Sequence, residues 1–70
     1  MQQVTETEFA GILQSAEREN TERLSAGLDR VEVTGHAYGA LDDSGELVEY
    51  YFAGSMFGFV QGGVHYSNGL

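Results

Sequence analysis

Apolar residues in the first third of the chain recur at helical spacing, and further on they alternate. Phe9, Ile12, Leu13 and Ala16 fall at i, i+3, i+4 and i+7, one buried helical stripe that Leu24 extends. Thr5 stands where an N-cap belongs, and Glu8 three residues later completes a capping box. Glu6 and Glu8 also suit the positive end of the helix dipole, and Gly27 is a natural stop. The predicted helix covers residues 6–26. Asn20 interrupts its stripe, so either the helix bends or frays there or the amide finds a partner at the edge of the core. Glu19 and Arg23, four residues apart, are expected to pair.

Beyond Asp29 the period falls to two. Val31, Val33, Ala37 and Leu41 lie on one side, while Arg30, Glu32, Thr34, His36 and Tyr38 lie on the other. Strands are predicted at 30–41, 46–53 and 56–60, with a fourth at 64–66 if that short segment joins the sheet. Asp42, Asp43, Ser44 and Gly45 form the first turn, with Gly45 supplying the positive φ. A four-residue loop sets Leu41 opposite Glu46, Gly39 opposite Val48, Ala37 opposite Tyr50 and Gly35 opposite Phe52. Each bulky residue then meets a small one, which supports glycine inside a sheet. The reverse face carries His36 beside Tyr51 and Tyr38 beside Glu49. The expected fold is therefore α+β: one N-terminal helix packed on a small antiparallel sheet, in a single domain of residues 1–70.

Seventy residues bury a thin core, and with no cysteine there is no disulfide to support it. A second copy of the chain becomes the natural stabiliser. Met1-Gln2-Gln3-Val4 offers neither the basic start nor the apolar run of a secretory signal, and no stretch reaches membrane-spanning length. A cytoplasmic protein that does not engage membranes is expected.

Charge changes the picture most. Eleven carboxylates face three arginines and no lysine, for a net charge of −8. Such a chain is repelled by DNA and RNA and attracted to basic protein surfaces. The alternative reading of the charge is solubility alone. Its distribution is uneven: Tyr50–Leu70 carries no formal charge but holds Tyr50, Tyr51, Phe52, Phe57, Phe59 and Tyr66. Two candidate surfaces result. Glu8, Glu19 and Glu22 fall along one helical flank, and Asp42, Asp43 and Glu46 cluster at the hairpin tip. Tyr38, Tyr51 and Phe57 represent the aromatic surface, which one helix cannot cover entirely. The uncharged Met56–Val60 strand suggests homodimerisation through its edge or face.

Catalytic patterns are missing. Gly54-Ser55-Met56-Phe57-Gly58 does not match the glycine-x-serine-x-glycine elbow, and the glycines at 54, 58, 62 and 63 precede no lysine and no helix. His36 and His65 with Glu49 have the residue types of a zinc site, but nothing in their spacing favours one. No enzyme activity, metal or cofactor is expected. In size, charge and lack of catalytic motifs the whole chain resembles the small acidic inhibitors that phages make against bacterial defence, above all anti-CRISPR proteins. The resemblance rests on no motif and assigns no residue a role. It implies a non-catalytic inhibitor in the host bacterial cell, mimicking nucleic acid and blocking the basic DNA- or RNA-binding site of a defence protein such as a Cas protein. The alternative is a small structural or assembly module that dimerises or binds through its aromatic C-terminal sheet.

Overall fold

A computed structural model of the protein describes every residue except Leu41. In it, strand β1 (Gln2–Val4) leads into helix α1 (Glu6–Ser25), followed by β2 (Val33–Ala40), β3 (Glu46–Phe52), β4 (Ser55–Gln61) and β5 (Val64–Ser67). The five strands form one antiparallel sheet in the order β1-β5-β4-β3-β2. The α+β class is as expected, with five strands instead of three or four. The helix leaves one edge of the sheet at β1 and delivers the chain to the opposite edge at β2, so it must cross a whole face. The molecule is elongated, 46 × 21 × 15 Å. Among the described residues no helix is long and apolar enough to cross a membrane.

The helix begins as its sequence dictates. The Thr5 hydroxyl accepts from the Glu8 N–H at 3.0 Å, and Glu8 Oε1 accepts from the Thr5 N–H at 2.9 Å. It ends in a Schellman turn, with Gly27 at φ 77°, the Leu28 N–H donating to the Arg23 carbonyl and the Gly27 N–H to that of Leu24. Arg23 does not meet Glu19 as expected. Its Nε donates instead to the Asp29 carbonyl at 2.8 Å, holding the loop beyond the helix. Leu24 is also not part of the stripe and is 57% exposed. Twenty helical residues span about 30 Å, longer than the seven-residue strands beneath, so the last turns overhang the sheet.

Asn20 is the pivot of that crossing. It is buried, and its amide makes a two-point contact with the chain approaching β2: Nδ2 donates to the Val31 carbonyl at 2.8 Å, and Oδ1 accepts from the Val31 N–H at 2.7 Å. The interruption in the apolar stripe is thus a side chain acting as one rung of a β-ladder.

The core is small. Among the described residues Phe9, Ala16 and Phe57 are the buried apolar ones. The Phe9 ring lies over Gly58, where an added Cβ would come within 2.8 Å of the ring and 2.7 Å of the Tyr66 carbonyl. Tyr50 and His65 approach the same ring with centroids at 5.2 Å, and Phe57 at 6.4 Å. Buried Ser67 closes the far end by donating to the Phe57 carbonyl at 2.6 Å.

The hairpin register differs from expectation. Gly35 pairs with Tyr50 rather than Phe52, and Ala37 with Val48 rather than Tyr50, a slip of two that leaves the side chains from Val33 to Ala37 on their expected face. A bulge at Tyr38, followed by Gly39 at φ 73°, absorbs a residue, and Glu46 pairs with Ala40. The expected pair of Leu41 and Glu46 lies outside the described residues. The size principle survives with new partners, since a Cβ on Gly35 would sit 3.4 Å from the Tyr50 ring. Met56–Val60 lies in the central strand, so it offers no edge for dimerisation.

Asn20→Ala removes both bonds between buried Asn20 and half-buried Val31 and is expected to lower stability by about 2–4 kcal/mol, measured by urea unfolding. Gly58→Ala forces the Phe9 ring off the sheet and is expected to lose about 1–3 kcal/mol in the same assay.

Candidate functional surfaces

The sheet has one face under the helix and one without cover. Register determines what the uncovered face holds. His36 on β2 opposes Glu49 on β3, Glu49 opposes Phe59 on β4, Phe59 opposes Tyr66 on β5, and Tyr66 opposes Gln3 on β1. One cross-strand row therefore spans all five strands. Phe59 and Tyr66 stack at 4.7 Å, and His36 meets Tyr51 edge-on at 5.6 Å. The expected neighbours, His36 with Tyr51 and Tyr38 with Glu49, occur here through diagonal contacts.

Glu49, half-buried in this row, is the one carboxylate of the eleven that is not fully on the surface. It accepts a hydrogen bond from the Tyr51 hydroxyl at 2.9 Å. That bond stabilises the neutral phenol, and the adjacent negative charge opposes its ionisation, so the Tyr51 hydroxyl is pushed up to about 12. The same carboxylate raises Tyr38 above the ordinary tyrosine range.

Phe57 does not belong to this surface. It is 5% exposed and packs in the Phe9 cluster, because the bulge between Tyr50 and Tyr51 lets it turn under the helix. Phe59 and Tyr66, which residue type alone could not single out, take its place beside Tyr51. Tyr38 and Met56 remain exposed at the margin.

The predicted acidic residues Glu8, Glu19, Glu22, Asp42, Asp43 and Glu46 are all exposed. They do not form one patch. The Asn20 clasp fixes the C-terminal part of the helix beside Glu32 and Ala53, at the end of the sheet opposite the β2–β3 tip. Glu19 and Glu22 therefore lie toward one end of the molecule and Asp42, Asp43 and Glu46 toward the other. At the tip, Asp42 Oδ1 accepts from the Ser44 N–H at 2.7 Å, which lowers its pKa below the usual carboxylate value. Glu8 is lowered likewise by the Thr5 N–H. Both groups stay ionised at mildly acidic pH. Among the described residues the one ion pair joins Arg30 to Glu17 at 3.2 Å, so most carboxylates have no cation at hand.

An open groove of about 200 Å³ separates the helix from the sheet, lined by Glu6, Phe9, Ala10, Leu13, Tyr50, Val60 and His65. His65 touches Phe9 on the helix side, whereas His36 contacts Tyr51 on the uncovered face, so the two histidines do not converge. Among the described residues no three histidine or carboxylate side chains are grouped as a metal site requires.

Glu49→Gln is expected to return the Tyr51 hydroxyl from about 12 toward 10. A pH titration of the Tyr51 ring carbon bearing the hydroxyl, followed by NMR, reads the change directly. Compared with protein-family models, curated proteins and solved structures, the chain matches none.

Proposed function

We propose that the protein is a non-catalytic inhibitor that binds a basic nucleic-acid-binding protein and competes there with DNA or RNA, in the manner of the anti-CRISPR proteins it resembles. It would act in the cytoplasm of a host bacterium. The observation that carries the reading is the spread of unneutralised carboxylates along an elongated body. The ten carboxylates other than Glu17, which pairs with Arg30, come to about one per 5 Å over 46 Å, of the order of the phosphate spacing in one strand of a duplex. A full duplex of that length carries roughly 27 charges. The density therefore favours competition with a single strand or with one strand of a duplex.

The separation of the two acidic groups narrows the mode of contact. An extended basic channel touches both ends of the protein, whereas a compact basic pocket touches one. The test is retention of a nucleic-acid-binding target on the immobilised protein at low and high salt, with single-stranded DNA or RNA as competitor. Release by salt and by competitor is the expected result. Glu19→Lys with Glu22→Lys, and separately Asp43→Lys with Glu46→Lys, should each weaken binding at least about tenfold in a channel. Retention that ignores both salt and charge reversal would overturn the reading.

The uncovered face supports a second reading, an assembly module. The stacked Phe59 and Tyr66, with half-buried Tyr51 on the same face, have no helix over them. Binding through that face should survive high salt and be lost in Phe59→Ala with Tyr66→Ala.

A further inference from the structure

The two edges of the sheet are unlike. β1 is three residues long, whereas β2 is eight and has a neighbour on one side alone. The hydrogen-bond phase of β2 follows from one contact. The Ala53 N–H donates to the Glu32 carbonyl, so Glu32, Thr34 and His36 direct their backbone groups toward β3. Val31, Val33, Gly35 and Ala37 direct theirs away from it. Val31 is already satisfied by the Asn20 amide. At the other end, the bulge at Tyr38 breaks the series. Between these limits Val33, Gly35 and Ala37 present three N–H and three C=O groups to the open side.

Long open edges are usually guarded by lysine, proline, an inward charge or a bulge. The bulge at Tyr38 guards the far end of β2, but residues 33–37 contain none of these and no charged residue at all, in a chain of net charge −8. The edge is thus a stretch where another equally acidic molecule can approach without meeting carboxylates directly. It is also self-complementary. A two-fold axis at Gly35 sets Gly35 against its own copy and Val33 against Ala37, and about six backbone hydrogen bonds then satisfy every open group. Gly35 and Ala37 are exposed and lack bulk to obstruct the approach. The chain has surface to bury: it exposes 4687 Å² where a folded monomer of its mass exposes about 4,300 Å².

We infer that β2 is a homodimerisation edge, joining two copies antiparallel around Gly35 into one continuous ten-stranded sheet. The partner is a second copy of this chain, and the surface is independent of the acidic residues proposed to meet a basic target. The salt dependences of the two are opposite. Added salt screens the repulsion between two acidic copies and strengthens the dimer, whereas it weakens binding to a basic protein.

Analytical ultracentrifugation of the full chain from micromolar to millimolar concentration tests this, at about 50 mM and 500 mM salt. The expected result is a monomer–dimer equilibrium at least about tenfold tighter at the higher salt. Ala37→Glu, which places a carboxylate on the edge of each copy, should weaken it at least about tenfold. Thr34→Cys with His36→Cys provides a positive test of register. The proposed axis pairs residue 34 with residue 36 of the other copy at disulfide distance, and the native chain has no cysteine to compete. Oxidation should yield a covalent dimer. A monomer throughout the range overturns the inference. So does a dimer that ignores Ala37→Glu and fails to cross-link, or one lost in Phe59→Ala with Tyr66→Ala while Ala37→Glu leaves it intact.

Discussion

The Phe9 ring rests on the backbone of Gly58, and the other parts of the core are arranged around that contact. A side chain at 58 would hold helix and sheet apart, and the rings of Tyr50, Phe57 and His65 would lose the surface they share. With three buried apolar residues among those described, no second cluster is there to compensate. The Thr5–Glu8 capping box acts one turn upstream, fixing where the helix starts and hence where Phe9 lands. Asn20 acts three turns downstream, fixing where the helix must point. Those three contacts define the crossing of the sheet by the helix, and with it which face stays open.

The helix was legible because its signals are local. Capping box, stripe and terminal glycine each depend on residues within a few positions of one another, and each is found as read except that the stripe stops short of Leu24. The turn at Asp42–Gly45 was legible for the same reason. What escaped depends on distant contacts. Gln2–Val4 is polar and too short for alternation to register, and it becomes a strand because β5 offers an edge. The two-residue slip in the hairpin has two parts that the alternating pattern does not announce: Glu46 pairs with Ala40 in place of Leu41, and the bulge at Tyr38 absorbs one residue more. Face assignment survived from Val33 to Ala37, because the shift there is even and preserves alternation.

The candidate surfaces divide along the same line. Exposure of the carboxylates could be read from residue type alone, since ionised groups stay in water unless paired. Their separation into two ends could not, because it depends on Asn20. Among the aromatics, Tyr38 and Tyr51 lie where strand alternation puts them. Phe57 escaped because the bulge between Tyr50 and Tyr51 turns it under the helix, leaving Phe59 and Tyr66 on the open side. The clasp at Asn20 also bears on the β2 edge, since it occupies one outward station and leaves the next three open.

The acidic tip is braced on its β3 side. Gly45 and Glu46 lie against the β4–β5 turn, where the Gly62 N–H donates to the Glu46 carbonyl and Gly45 approaches Gly62 so closely that a Cβ would come within 2.8 Å. Asp42 is tied to Ser44 in addition. Hairpin tips with polar residues are ordinarily the most mobile parts of a small domain, and freezing them on contact subtracts from affinity. Here that loss of motion takes place during folding. The Glu46 carboxylate is carried on a backbone braced by the neighbouring turn before any partner arrives, so a partner meets that charge on a support it need not organise.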